Sequence, residues 1–433
     1  PQTMQLGNWP QTVGVTFSVD LLSATLILVS SVVGLCGLMA TLGFSSKKEE
    51  LRGLHCFYHF MMTGVLGAFT TSDIFNLYVW FEVLLVASFI LVGLSRKKNS
   101  WAGDYKYSVL SIVGSFLFLL GIALLYSAAG SLDFATLHRW LSQHSSTLSA
   151  QLGGGLLLIA FAVKAGVVPF HFWLPASYPA TWGPVVAVFS GLLTKVGIYA
   201  LIRIFVSSPW MNDSVAWNVL RVLALASMVI GVLGAFSKYN IQSILSFHII
   251  SQVGYIVLAF TFSSEAGIVA GLFYLFHHII VKTNLFFCAN YIEAHHGTPD
   301  IRKVGGFLRH GPFPAILFAI SALSLIGIPP LSGFWAKVFT LQAALNSHDI
   351  TAFILCLIVS LITLLSMLKV WIEVFWKPQP ENSEPPASPA SARLLLFPMT
   401  LLCVWTLAIG LSAPFIYSLA QRIQEQLQTG GYE

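Results

Sequence analysis

Charge is what this 433-residue chain has least of: 9% of its residues are Asp, Glu, Lys or Arg, where soluble domains carry about 25%. So few charges cannot wet the surface of a soluble fold. Cysteine is sparse as well. Cys36, Cys56, Cys288, Cys356 and Cys403 lie in apolar runs without CxxC spacing, which argues against a disulfide framework and against a metal site. His295 and His296 stand side by side, but no further ligands accompany them. There is no cleavable signal pattern at the start, and no phosphate loop, nucleophile triad or haem motif, so no cofactor is expected. The net charge of +5 is no nucleic-acid footprint, since it arises from loop bias and from lysines inside apolar segments.

What is abundant is apolar length. The chain is 56% hydrophobic and 13% aromatic, with a mean hydropathy of +0.79. A bilayer is crossed by about twenty apolar residues. The pattern therefore predicts an all-α polytopic membrane protein of about twelve spans: 17–43, 54–72, 74–95, 106–129, 152–170, 181–206, 215–236, 240–262, 266–291, 313–345 (broken), 352–376 and 394–420. Two longer loops stand out, a polar one over 130–151 and a Pro/Ser-rich linker over 377–393.

Threading the spans alternately puts Lys47, Lys48, Arg52, Arg96, Lys97, Lys98, Lys106, Lys238, Arg302, Lys303, Arg309, Lys377 and Arg393 on one side, and only Arg139, Arg203, Arg221 and Arg422 on the other. The positive-inside rule makes the basic side the cytoplasm. Both termini are then expected outside, in a cell inner (cytoplasmic) membrane. The remaining five basic residues, Lys164, Lys195, Lys282, Lys337 and Lys369, fall inside apolar segments.

The run from Leu156 to Trp173, LLLIAFAVKAGVVPFHFW, has Lys164 at its centre and Gly166 and Pro169 just after it. Proline removes a helical hydrogen bond. A buried ammonium costs at least ~2.5–3.5 kcal/mol on insertion scales. A second interrupted run, FAISALSLIGIPPLSGFWAKVF, places Pro329, Pro330 and Gly333 before Lys337. Two broken segments in corresponding places suggest two inverted five-helix repeats, the mark of secondary transporters. The expected organisation is an N-terminal helix and cytoplasmic loop over 1–53, repeats over 54–206 and 207–376, and a linker with a C-terminal helix over 377–433.

Glu82, in LYVWFEVLLVASF, is the deep carboxylate, and Lys164 is its natural partner, because an unpaired buried carboxylate would protonate. Such a pair is either bistable or a static helix–helix tie. Lys195 lies between Gly191 and Gly197; His278 and Lys282 are four apart and share a helix face; His248 sits beside Ser246, Ser251 and Gln252. Histidine titrates near neutrality, so Glu82, Lys164, Lys195, His248, His278, Lys282 and Lys337 read as a proton relay. The bland alternatives are a lysine that snorkels to the interface and histidines that are satisfied core contacts. His277 points away from His278 and is expected in the core. Lys369 and Glu373 read as a local i, i+4 salt bridge.

The motifs AFAVKAGVVPFHFWLPASYPA, SGLLTKVGIYALIR, SKYNIQSILSFHIISQVGYIV, FHHIIVKTNLFF and GIPPLSGFWAK resemble the shared core of the antiporter-like subunits of respiratory complex I, membrane-bound hydrogenases and Mrp-type antiporters. The opening GNWPQTVGVTFSVDLLSATLILV is most similar to the D subunit of the Mrp type. The resemblance spans essentially the whole chain. It implies a fourteen-helix fold whose first two helices would be absent here, consistent with a chain that opens on Pro1 rather than Met. It identifies Glu82 and Lys164 with the family's glutamate–lysine pair, Lys195 with the lysine of the following helix, His278 and Lys282 with the central HxxxK, and Lys337 with the terminal lysine. It implies a proton-translocating subunit, not an enzyme, of a multisubunit Na+ (or K+)/H+ antiporter, partnered by other hydrophobic subunits including a larger homologue. The alternative is a proton-pumping subunit of a complex I-type dehydrogenase or hydrogenase.

Overall fold

The computed structural model describes residues 2–8, 14–45, 47–94, 101–207, 210, 214–379 and 393–429. Most of the expected linker, residues 1 and 433, and the loop basics Arg96, Lys97 and Lys98 lie outside the described residues.

In lipid every backbone polar group needs an internal partner, and long apolar runs obtain one as helix. A small antiparallel hairpin, β1 (Gln2–Gln5) and β2 (Thr16–Val19), precedes α1 (Leu21–Phe44). Then come α2 (Leu54–Thr70), α3 (Ile74–Gly93), α4 (Trp101–Ala129), the short amphipathic α5 (Phe134–His144), α6 (Leu148–Ala165) and α7 (Gly183–Leu201). The second half holds α8 (Val215–Ser237), α9 (Ile241–Thr261), α10 (Glu265–His296), α11 (Pro312–Ile326), α12 (Ser332–Asn346) and α13 (Ile350–Trp371). The last two helices are α14 (Leu396–Leu411) and α15 (Ala413–Gln428). Short polar side chains start many of these helices by accepting an otherwise orphaned N–H: Asp73 from Asn76, Asn240 from Ser243, Ser264 from Gly267 and Asp349 from Ala352.

Among the described residues nine helices are long and apolar enough to cross a membrane, or ten if α14 and α15 count as one span. Twelve segments were expected, one of them broken. The break expected within 313–345 does separate α11 and α12, of fifteen residues each, whereas the expected 394–420 segment is two helices bent by 81° at Ser412. Hydropathy measures apolar length and carries no record of where a helix turns.

Helices α7, α9 and α10 are buried almost throughout, while α1, α4, α8 and α13 bury half of their length or less. α10 is the hub, packing on α7, α9, α11, α12, α14 and α15. The tightest pair is α8 with α9, where two glycines let backbones touch. A Cβ on Gly231 would stand 2.8 Å from Ser251 Cα, and one on Gly254 would stand 2.7 Å from the Ala224 carbonyl oxygen.

Backbone landmarks recur between the halves. An isolated β-bridge joins Asp73 to Asp133, and another joins Asn240 to Asp300. Gly130 and Gly297, three residues before the second partner of each bridge, are both left-handed with φ 69°. Each of these pairs (73 and 240, 130 and 297, 133 and 300) is separated by 167 residues. Helix α6 ends at left-handed Gly166 (φ 76°) before a cis Val168–Pro169 bond, and α11 ends at left-handed Gly327 (φ 96°) before a cis Pro329–Pro330 bond. Both α7 and α13 run on into a π-helical turn, Ile202–Val206 and Ile372–Trp376.

Two charge assignments change. Glu373 pairs with Lys377 at 3.0 Å rather than with Lys369. Lys369 instead donates to the Phe236 and Lys238 carbonyls at the end of α8, at 2.5 and 2.7 Å, where helix-end oxygens offer a cation a stronger site. Arg203 is no loop residue. Within the π-turn it forms a buried bidentate pair with Asp20, at 2.5 and 2.7 Å. It donates further to Ser23 Oγ at 2.8 Å and to the Tyr199 hydroxyl at 2.9 Å.

Burial alone would raise the Asp20 carboxyl, but the Arg203 guanidinium outweighs burial and holds it below its ordinary value. The contribution of this pair to stability is therefore complete above the ordinary carboxylate pKa of ~3.9 and is lost as pH falls through the lower folded value. Arg203→Ala, which strands a buried carboxylate, should lower stability by about 3–5 kcal/mol, whereas Asp20→Asn combined with Arg203→Met should recover most of that loss. Thermal midpoints in detergent at neutral and acid pH measure both. An Arg203→Ala protein as stable as the parent would contradict the assignment.

Candidate functional site

Lys164 occupies the last turn of α6, directly before the break. Its ammonium donates to Ser115 Oγ at 2.9 Å and to the Ser111 carbonyl at 3.1 Å, both on α4. It also lies 5.9 Å from the centre of the Phe81 ring. Glu82, the next residue on α3, is half-buried, and its Oε1 has no protein hydrogen-bond partner among the described residues. The Glu82 charge reaches Lys164, but no ion pair within 4 Å joins them among the described residues. The direct contact expected from sequence is thus replaced by a through-space one. The Phe81 ring faces the ammonium, and two serine oxygens satisfy it from the other helix. A cavity of about 20 Å³, lined by Phe81, Tyr107, Ser111, Lys164 and Trp173 among others, adjoins it. That is room for about one water.

Lys195 on α7 is wholly buried, with its ammonium 2.5 Å from the Ser190 carbonyl of its own helix. Helices α6 and α7 abut here. A Cβ on Gly197 would lie 3.0 Å from Lys164 Cβ. Lys282, wholly buried on α10, donates to the Leu245 carbonyl of α9 at 3.3 Å. His278, one turn earlier, is also wholly buried, and neither ring nitrogen has a protein partner among the described residues. The charges of Lys195 and Lys282 act on His278 and on each other.

His248 on α9 meets Ser366 Oγ of α13 at 3.0 Å through Nε2, while Nδ1 has no protein partner among the described residues. It lies within the fields of both Lys282 and Lys337. Lys337 on α12 donates at 2.7 Å to the carbonyl of Ile326, the last residue of α11, and stands 5.5 Å from the centre of the Tyr255 ring. The break itself supplies that acceptor, since the last carbonyls of a helix have no partner within it.

The helices that carry these groups touch in the order α3, α4, α6, α7, α10, with α9 and α12 both on α10. The seven residues singled out from sequence thus sit on a connected set of helices, and Lys164, Lys195, His248, His278, Lys282 and Lys337 are buried. His277 is buried, as expected of a core residue. Its Nδ1 meets Ser332 Oγ at 2.8 Å, and Ser332 meets Ser324 Oγ at 3.0 Å, across the second break, a contact that sequence spacing did not reveal. At 167 residues before His278 and Lys282 stand Ser111 and Ser115, the two residues that hold Lys164. Among the described residues no three His, Cys, Asp or Glu side chains are grouped as a metal ion would require. What the array gathers instead is buried titratable nitrogen, with hydroxyls at Lys164, His248 and His277 and backbone carbonyls at Lys195, Lys282 and Lys337.

A family model described as NADH:quinone oxidoreductase/Mrp antiporter, TM, matches residues 71–363. A protein of Alkalihalophilus pseudofirmus, named as the D subunit of an Na(+)/H(+) antiporter, is 38% identical over 424 residues, covering 98% of this chain and 86% of that protein. One of the same name from Bacillus subtilis is 34% identical over 427 residues, covering 98% and 86%. Among solved structures, a chain of the Mrp complex from Dietzia sp. DQ12-45-1b superposes with a TM-score of 0.90 at 32% identity, covering 98% of this chain and 87% of that one. A chain of the membrane-bound sulfane sulfur reductase, an archaeal respiratory membrane complex, superposes with a TM-score of 0.88 at 26% identity, covering 99% and 87%.

A buried ammonium satisfied by one carbonyl is a poor stabiliser. Replacing buried ionic groups by apolar residues of like volume is often neutral or stabilising by about 1–4 kcal/mol. Lys282→Met should therefore leave the thermal midpoint unchanged or raise it. A marked fall would mean that Lys282 serves the fold.

Proposed function

The chain belongs to the NADH:quinone oxidoreductase/Mrp antiporter transmembrane family, and from that premise we propose that it is the proton-translocating subunit of a multisubunit Mrp-type Na+ (or K+)/H+ antiporter. It is a transporter component rather than an enzyme, working beside other hydrophobic subunits, one of them a larger homologue. The observation that carries this reading is the connected set of helices bearing four buried lysines and buried histidines.

The two halves, 54–206 and 207–376, act as inverted repeats. The paired bridges, breaks and π-turns at matching positions support this. By the positive-inside rule the loops richer in Lys and Arg lie on the cytoplasmic face of the inner membrane, with both termini outside. A proton passes from Glu82 and Lys164 to Lys195, then through His278 to Lys282, and by way of His248 to Lys337. Withdrawal of the Glu82 charge from Lys164 favours release of the Lys164 proton, and repulsion between neighbouring ammonium groups moves charge along the row. A redox-driven role is the second reading, favoured only by the likeness to the archaeal respiratory complex. Co-purification with iron–sulfur or flavin subunits would select it.

Lys164→Ala and Glu82→Gln, in a complex that still assembles, should each reduce cation/proton antiport in membrane vesicles by about a hundredfold, the lower end of what a positioned proton carrier contributes. Undiminished antiport in either variant would remove the relay.

A further inference from the structure

At the end of α10 that carries the basic loops, a second set of buried polar groups approaches Lys282. Gln242, wholly buried in the first turn of α9, donates through Nε2 to Glu293 Oε2 at 2.5 Å and to Asn290 Oδ1 at 3.3 Å. Asn290, nearly buried, donates in turn to the Gly183 carbonyl at the start of α7 at 2.6 Å. Gln242 Oε1 is buried and has no protein partner among the described residues, and a buried amide oxygen is a strong acceptor that water normally serves. Ser246, also wholly buried, lies one turn on, beside Leu245, whose carbonyl accepts from Lys282. Glu293 is half-buried in the last turn of α10, about 16 Å along the axis from Lys282.

The fold does not need these groups. At the matching positions 167 residues earlier stand Phe75, Ala123 and Tyr126, yet the first half builds the same β-bridge and the same left-handed glycine. Among the described residues the polar column has no match at those positions of the first half, and the carbonyl of Leu245, three residues on from Gln242, accepts from the central lysine.

We propose that Glu293, Gln242 and Asn290 form the route by which protons from the basic face reach Lys282. This rests on the relay proposed above and adds where that relay is filled. The Glu293 carboxylate takes a proton from bulk water and yields it to water ordered at Gln242 Oε1. The proton ends on the neutral amine of Lys282, so only O–H and N–H bonds form and break. Gln242 is a positioning residue that orders the water; it does not itself carry the proton. The first half has no such inlet at its matching end, so filling is one-sided.

The test uses the assembled complex in vesicles of both orientations, with the exposed Cys56 replaced by Ser. Gln242→Cys should react with a cationic, membrane-impermeant methanethiosulfonate only when the reagent is on the basic face, and labelling should abolish antiport. Gln242→Leu and Glu293→Gln should each lower the antiport rate roughly tenfold, and Glu293→Asp should restore most of it. Asn290→Cys serves as the second labelling site should Gln242→Cys fail to assemble. The inlet is overturned if the introduced cysteine is unreactive or reacts only from the opposite face, or if Gln242→Leu and Glu293→Gln transport at the parent rate while Lys282→Ala is inactive. Normal transport by Lys282→Ala would instead bring down the relay itself, and the inlet with it.

Discussion

A buried ammonium must be given oxygen. In a helical membrane protein almost every carbonyl is already spent on the helix, so the supply is limited to side-chain hydroxyls, shared carbonyls and the ends of interrupted helices. Each lysine at the site uses one of these. Lys164 takes a serine hydroxyl and a shared carbonyl from α4, Lys195 and Lys282 take single shared carbonyls, and Lys337 takes the oxygen freed where α11 stops. None has a carboxylate within 4 Å among the described residues. Each ammonium is thus held by one or two oxygens rather than by a rigid ion pair, and at Lys337 the broken helix itself supplies the oxygen.

Repetition with substitution explains how one scaffold builds a continuous row. The landmarks at a separation of 167 residues show the same backbone plan used twice. On α4 the plan presents Ser111 and Ser115, which receive a lysine from α6; on α10 it presents His278 and Lys282, which are titratable themselves. Of the helices that bear the buried lysines and histidines, α7, α9 and α12 meet at the hub helix α10, and α6 reaches it through α7.

Much of this was legible in the sequence because it departs from what lipid tolerates. Lysines in apolar runs and paired Gly/Pro interruptions stand out against a monotonous background, and Lys164, Lys195, Lys282 and Lys337 all proved buried. What was not legible depended on partners distant in the chain. Arg203 looked like a loop residue until Asp20, 183 positions away, was found against it. Glu373 has lysines at i−4 and i+4, and spacing alone does not choose Lys377 over Lys369, which is drawn off by the end of α8. Helical phase placed His277 in the core, where it is, but its partner Ser332, 55 positions on, was out of reach of that argument. The bend at Ser412 falls where the strongly apolar LFPMTLLCVWTLAIGL gives way to the amphipathic APFIYSLAQRIQEQLQ, a change of pattern that a count of apolar length runs across.

The glycine contact between α8 and α9 has a mechanical consequence. A transporter that rocks between inward and outward cups needs a slip plane, and side chains normally lubricate it. Here backbone rests on backbone at two levels, at Gly231 and at Gly254, so sliding one helix past the other would drive main-chain atoms into each other. That seam behaves as a weld. Any movement of this half must therefore carry α8 and α9 together as one unit.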